Sequence, residues 1–308
     1  MMAMIAELIS ASKTYRLGFR RKPFQALDNI SFGICEGALT GFVGPNGSGK
    51  STSIKLLLGL IYPDAGQCLA FGKPAGDRHV FQRIGYVAEN VSFSDTLKPL
   101  EVLAYHGRVH GLSPAQIKSR SDLLLAEVGL GAHTSKTIRQ FSKGMVQRLA
   151  VAVSLMHDPE FLLFDEPMSG LDPIGHRFVI DLLARQHRLG KTICFSSHLL
   201  HDIDELCDQL VVIYRGALVY QGAKEGFTSR RSKHQIVFER NTPPDWLAGA
   251  EPLGTRTWRV TGSAAETMDW LKRLLNDGAV LQSYGRESST LESSFMELVG
   301  DARPGVNS

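Results

Sequence analysis

Gly44-Pro45-Asn46-Gly47-Ser48-Gly49-Lys50-Ser51, followed by Thr52, carries three glycines and closes on a lysine and a hydroxyl. Glycines let a backbone curl until several N–H groups face one anion, and a helix starting at Lys50 turns its positive end to the same place. The apolar run Leu39 to Val43 before this loop and the periodic stretch Ser51 to Leu60 after it supply a strand and a helix in the required order. The spacing G-x-x-x-x-G-K-[ST] in that setting predicts a cradle for a phosphate chain, with Lys50 on the outer phosphates and the Ser51 hydroxyl on Mg²⁺. A chance match in a glycine-containing loop is the bland alternative, and the flanking strand and helix weigh against it.

Two further segments can place chemistry beside such a cradle. Phe161 to Phe164 is fully apolar and ends in Asp165-Glu166. In a parallel sheet the carboxyl ends of strands face the ligand crevice. Asp165 can then reach the Mg²⁺ shell while Glu166 holds the attacking water as general base. By itself the pair also reads as a solvated acidic strand end. Thr192 to Phe195 is a second apolar run that leads into Ser197-His198, so His198 belongs on the same edge, within reach of a terminal phosphate. A surface histidine, or a metal site with His201 and Asp202, are the competing readings.

These groups need a scaffold, and the chain has the material for one. Its 308 residues fit one large α/β domain plus a small extension, and 43% hydrophobic with 21% charged residues is ordinary globular usage that buries a core. A net charge of +3 with both signs interspersed gives no basic face, so no nucleic-acid partner is expected. Cys35, Cys68, Cys194 and Cys207 lie far apart with no C-x-x-C pair and read as reduced core thiols of a cytosolic protein. Met1 to Leu8 contains Glu7 and lacks a basic leader, which speaks against a secretory signal. No apolar run approaches the ~20 residues that span a bilayer, so service to a membrane would go through another chain.

Along the chain, extended segments are expected at Ala6 to Ser10 and Ala26 to Gly33. Pro99 to His157 is mostly helical, with Ser113-Pro114-Ala115-Gln116 combining an N-cap serine, a first-turn proline and a capping-box glutamine. Ile174 to Arg188 is the helix of a strand-helix-strand crossover, and Leu210 to Tyr214 pairs with Ala217 to Tyr220 as a hairpin. A polar linker is expected over Thr228 to Lys233. Beyond it come strands at Gln235 to Arg240, Thr255 to Val260 and Ala279 to Tyr284, helices at Ala264 to Leu275 and Leu291 to Val299, and a loose tail from Asp301 to Ser308.

Phe141-Ser142-Lys143-Gly144-Met145-Val146-Gln147-Arg148, some twenty residues before the acidic strand, resembles the signature sequence of ABC ATPases. Ser169-Gly170-Leu171-Asp172-Pro173 resembles their D-loop, with Asp172 as its acid, and His198 their switch histidine. The resemblance covers residues 1 to about 225. It implies an α/β fold: a P-loop ABC ATPase domain over 1–227 with a helical insert at about 95–157, followed by a small α+β domain over 234–300. It implies ATP and Mg²⁺ as cofactors, ATP hydrolysis, and a peripheral position on the cytoplasmic face of the cell membrane beside a transmembrane permease subunit. Ser142, Lys143, Gly144 and Met145 would close over ATP held by a second, head-to-tail ATPase subunit. Without the resemblance, Ser142 reads equally as a bare N-cap. Tyr15 is similar in place to the aromatic that stacks on adenine, although alone it reads as an edge-strand tyrosine.

The chain departs from the usual pattern at Lys143 and Met145, where the signature has a second glycine and a glutamine. Glu89 in Gly85-Tyr86-Val87-Ala88-Glu89-Asn90 replaces the Q-loop glutamine, and its oxygen can still contact Mg²⁺ or water. Both departures are similar to the exporter branch whose ATPase pairs with a separate type 2 permease, as is Leu291-Glu292-Ser293-Ser294-Phe295 near the end. A soluble ABC ATPase of translation or DNA repair is the alternative. Such proteins carry two cassettes or long coiled coils, and this chain has neither feature.

Overall fold

The computed structural model describes residues 3–17, 22–229, 234–286 and 290–301. The chain divides into two compact units, Met1–Lys224 and Glu225–Ser308. In the first, β1 (Met4–Leu17) and β2 (Lys22–Cys35) form a long bulged antiparallel ribbon. After β3 (Leu39–Val43), α1 (Lys50–Leu57), β4 (Ala65–Ala70) and β5 (Lys73–Pro74), the ribbon is completed as a sheet of order β2-β1-β4-β5. Helix α1 stops at Leu57, short of the expected Leu60, because Leu60 N donates back to the Lys55 carbonyl in a six-residue closing turn.

The chain then runs through α2 (Arg78–Phe81) and β6 (Ile84–Val87) into the helical segment, α3 (Pro99–Val109), α4 (Pro114–Glu127) and α5 (Lys143–Ser154). The Ser113–Gln116 box predicted from sequence caps α4: Ser113 N donates to Gln116 Oε1 at 2.9 Å and Gln116 N to Ser113 Oγ at 3.3 Å. There follow β7 (Phe161–Phe164), α6 (Pro173–Arg188), β8 (Thr192–Ser196), α7 (Leu200–Leu206), β9 (Gln209–Tyr214) and β10 (Ala217–Ala223). They build a six-stranded sheet of order β10-β9-β3-β8-β7-β6, parallel except for the β9–β10 hairpin. Every residue of β3, β7 and β8 is buried, as a central parallel strand covered on both faces requires. A shared core of Phe32, Phe42, Ile54, Leu57 and Phe161 joins this sheet to the ribbon sheet, with Phe32 set edge-on to Phe42 at 5.4 Å. Cys68, Cys194 and Cys207 are buried free thiols, whereas Cys35 on β2 is half-buried.

In the helical segment the His157 ring lies flat against His110 at 3.7 Å, and its Nε2 donates to the Ile84 carbonyl at 3.1 Å. Burial, with help from His110, pushes the His157 pKa down to about 4. The folded value lies below the ordinary ~6.5 of the unfolded chain, so the neutral ring's contribution is fully present above pH ~6.5 and lost as pH falls towards 4. The thermal midpoint should therefore fall between pH 7.5 and pH 5 by more in the wild type than in His157→Gln, whose amide can keep the bond to Ile84. Equal falls in the two proteins would remove His157 as the cause.

The second unit begins in α8 (Lys224–Ser229), which takes in Thr228 and Ser229, expected as the first two linker residues; the rest of that linker, at 230–233, lies outside the described residues. β11 (His234–Glu239) is an inner strand of a sheet completed by β12 (Glu251–Pro252), β13 (Thr257–Gly262) and, after α9 (Ala264–Asn276), β14 (Val280–Arg286), in the order β12-β13-β11-β14. Ile236, Phe238, Val260 and Leu274 form its core. Helix α10 (Leu291–Asp301) includes Asp301, where the tail was expected to start, and 302–308 lie outside the described residues.

Candidate functional site

The loop between β3 and α1 borders a cavity of about 380 Å³ that Asn46 to Thr52 line together with Phe24, Glu89, Glu166, Ser169 and His198. Its backbone is pressed against its neighbours. A Cβ on Gly44 would run into the Ile213 carbonyl and meet Ser48 Oγ at 2.5 Å; one on Gly49, whose φ is 116°, would meet Leu27 Cδ2 at 2.5 Å and the Ala26 carbonyl at 2.8 Å. Ser48 is 2% exposed, and its hydroxyl has no hydrogen-bond partner among the described residues. A buried orphan donor at the wall of a polar cavity suits an incoming anion.

Lys50 is 6% exposed, and its ammonium donates to the Gly44 carbonyl at 2.7 Å and the Pro45 carbonyl at 3.3 Å. Burial pulls its pKa below the usual lysine range, while Glu166, Asp165 and Glu89 oppose that shift. A phosphate chain in the cavity offers this ammonium a better partner than two carbonyls.

Asp165, buried at the end of β7, accepts from Ser51 Oγ at 3.2 Å and from Ser196 Oγ at 2.8 Å. A hydroxyl and a carboxylate this close are hard oxygen donors of the kind Mg²⁺ takes, so the residues fit the ion. The Ser196 hydroxyl also accepts from Glu166 N at 2.8 Å, pinning both carboxylate residues to the neighbouring strand. Glu166 sits in the left-handed region at φ 48°, a costly conformation for a side-chain-bearing residue and one that recurs at functional sites. Its Oε2 accepts from His198 Nδ1 at 2.7 Å and His198 N at 3.2 Å.

The residues expected at the phosphate end thus come together, with two additions that sequence reasoning missed. Ser196 directly follows the apolar run Thr192 to Phe195, and its polarity at that strand end is the signal that could have found it. Phe24, 45% exposed, faces the cavity, whereas Tyr15 lies on β1 opposite Phe24 and is not among the lining residues. The alternative of a metal site at His198, His201 and Asp202 fails on geometry. Asp202 is buried and accepts from Ser197 Oγ and His176 Nε2, both at 3.0 Å, and among the described residues no three His, Cys, Asp or Glu converge.

Ser142, Lys143 and Gly144 line a separate cavity of about 340 Å³ with Gly170 and Asp172. Ser142 Oγ caps α5 by accepting from Met145 N at 3.3 Å, and Asp172 caps α6 by accepting from Gly175 N at 2.7 Å. Gln147, a further residue that sequence reasoning left without a role, is buried and donates to the Pro167 carbonyl at 3.0 Å, tying α5 to the segment after Glu166.

The family description "ABC transporter" matches residues 27–169. An ABC transporter ATP-binding protein of Synechocystis sp. is 38% identical over 240 residues, covering 77% of this chain and 68% of its own length. The Nod factor export ATP-binding protein I of Cupriavidus metallidurans is 35% identical over 198 residues, 64% of this chain and 65% of its own. The solved structure of an ATP-binding subunit of an ABC transporter superposes with a TM-score of 0.65 at 27% identity, over 73% of this chain and 92% of that one. With a phosphate cradle, paired carboxylates and a strand-end histidine assembled on the same fold, the chain belongs to the ATP-binding, ATP-hydrolysing subunits of ABC transporters.

Proposed function

We propose that the chain drives export through a separate transmembrane permease, working as a head-to-tail pair of ATPase subunits on the cytoplasmic face of the membrane. The observation that carries the catalytic part is Glu166, held at the cavity wall by Ser196 and His198, one residue from the Asp165 that bonds Ser51. Ser51 and Asp165, with Glu89 on the same cavity, would hold Mg²⁺, which would supply positive charge to the phosphate chain. Lys50 and the amides of the glycine loop bind and orient those phosphates. Glu166 accepts the proton of the attacking water, and His198 orients the terminal phosphate through a ring nitrogen when that nitrogen carries a proton.

The signature cavity has no part in the phosphate cavity of its own chain, which supports a role for Ser142 and Gly144 on a nucleotide held by a partner, with Asp172 beside them. Export is supported by the Glu89 and Lys143-Gly144-Met145 departures and by the similarity to the Nod factor export ATP-binding protein. No helix among the described residues is long and apolar enough to cross a membrane. In detergent extracts of its native membranes, the tagged chain should co-purify with a polypeptide of several hydrophobic spans. Recovery of the chain free of any such polypeptide overturns the permease reading.

A further inference from the structure

His198 meets Glu166 through two bonds, from Nδ1 at 2.7 Å and from its backbone N at 3.2 Å, so its ring serves the phosphate cavity only while the backbone on either side keeps its course. The His198 side chain is half-exposed, and packing restrains it little. No regular element carries its backbone either: β8 ends at Ser196 and α7 begins at Leu200. The three residues between them are held by a chain of side-chain bonds that leads away from the cavity.

The Ser197 hydroxyl, buried beside His198, accepts from Leu199 N at 3.0 Å and donates to Asp202 Oδ2 at 3.0 Å. The first of these bonds closes a turn around His198. A hydroxyl carries one proton, so giving it to Asp202 leaves the lone pairs for the Leu199 amide, and Asp202 thereby sets the direction of the pin. Asp202 is itself 1% exposed, and its other oxygen accepts from His176 Nε2 on α6 at 3.0 Å. A buried carboxylate keeps its place only while its oxygens are satisfied. Arg177 also joins α6 to α7 through Glu205 at 2.6 Å, but that pair is exposed and a weak restraint. His176 lines neither the phosphate cavity nor the signature cavity.

We propose that His176 and Asp202 are positioning residues for ATP hydrolysis, which act through Ser197 to hold His198 against Glu166 and the terminal phosphate. This rests on the reading of His198 as the residue that orients that phosphate. Support of the fold alone is a poorer account of His176, whose side chain is 27% exposed and leaves no core cavity when it is replaced. The turn that it steadies carries a group on the wall of the reacting site. Misplacing such a group by about 1 Å costs on the order of 10²-fold in rate. Lys50 and Ser51 keep their grip on the nucleotide meanwhile, so the loss falls on kcat and spares KM.

ATP turnover is measured with the full-length chain and its permease for His176→Leu, His176→Gln and Ser197→Ala, each with and without His198→Ala. His176→Leu keeps the bulk and removes the bond, and its kcat should fall about 10- to 100-fold with KM for Mg-ATP within about twofold of the wild type. His176→Gln, whose amide N–H can reach Asp202, should stay within about threefold of the wild type. Ser197→Ala removes the pin itself by a change too small to threaten folding, and should lose as much as His176→Leu; it carries the test if His176→Leu melts below the assay temperature. In the His198→Ala background none of the three should lower kcat further, because the group they position is gone. Hydrogen exchange at the Leu199 amide reads the same tie independently of turnover: faster in His176→Leu, native in His176→Gln. Losses that multiply in the His198→Ala background overturn the proposal, as do wild-type kcat in Ser197→Ala, a His176→Gln no better than His176→Leu, or unchanged exchange at Leu199 in His176→Leu. Wild-type kcat in His198→Ala alone overturns the phosphate-orienting role of His198 itself, a different result from a slow His198→Ala beside a fast Ser197→Ala.

Discussion

Glu166→Gln will slow ATP hydrolysis by about 10²–10⁴-fold while leaving Mg-ATP bound and the dimer closed, the usual size of effect for removing a general base. The amide is isosteric, and its oxygen can take over the bond from His198 Nδ1 that now falls on Glu166 Oε2. The backbone at this position is fixed independently of the side chain, because Glu166 N donates to Ser196 Oγ and that hydroxyl bonds Asp165. The substitution therefore removes proton acceptance and little else. Lys50, Ser51 and Asp165 still hold the nucleotide and its ion, so binding persists, and a site that binds without hydrolysing keeps its two subunits together. Phosphate release by the purified subunit with its permease reads the rate, and size exclusion with Mg-ATP reads the dimer. Wild-type turnover in the variant would assign the base to another residue.

The strength of that expectation comes from how much of the phosphate end was written in adjacent residues. Gly44 to Ser51, Asp165-Glu166 and Ser196 to His198 each follow a largely apolar run, and runs of that kind became β3, β7 and β8 because burial on both faces leaves no room for alternation. Non-local parts were illegible for a related reason. Strands β1 and β2 run 14 residues each, well past the short apolar segments that announced them, since their outer halves are held by pairing with one another through several register shifts. Strand β4 carries no alternating signal at all: its first three residues are exposed and it exists because β1 pairs with it. The same holds at the site. Ser196 bridges Asp165 and the Glu166 amide across some thirty residues of sequence, and whether Phe24 or its cross-strand partner Tyr15 meets the cavity depends on which strand of the ribbon borders it, which no local spacing encodes.

Adding Ser142→Arg to the Glu166→Gln chain should abolish the Mg-ATP dimer while sparing nucleotide binding to the monomer. Ser142 is exposed at the start of α5, and among the described residues its hydroxyl bonds only Met145 N, which it caps. Losing that cap costs about 1 kcal/mol, too little to unfold a domain of this size, and the cavity that Ser142 lines is separate from the one that holds Lys50. Binding to a single subunit is therefore preserved, and any loss of dimer belongs to the contact between subunits. Bulk decides the outcome: an arginine at the mouth of a cavity of about 340 Å³ fills the space that a partner's phosphates must enter. Ser142→Ala separates this from capping, because it removes the same bond to Met145 N without filling the cavity. It should retain a weakened dimer, while Ser142→Arg retains none. Calorimetry with Mg-ATP checks binding and size exclusion checks association. A dimer of undiminished stability in the Ser142→Arg, Glu166→Gln chain means that the start of α5 does not close the site across subunits.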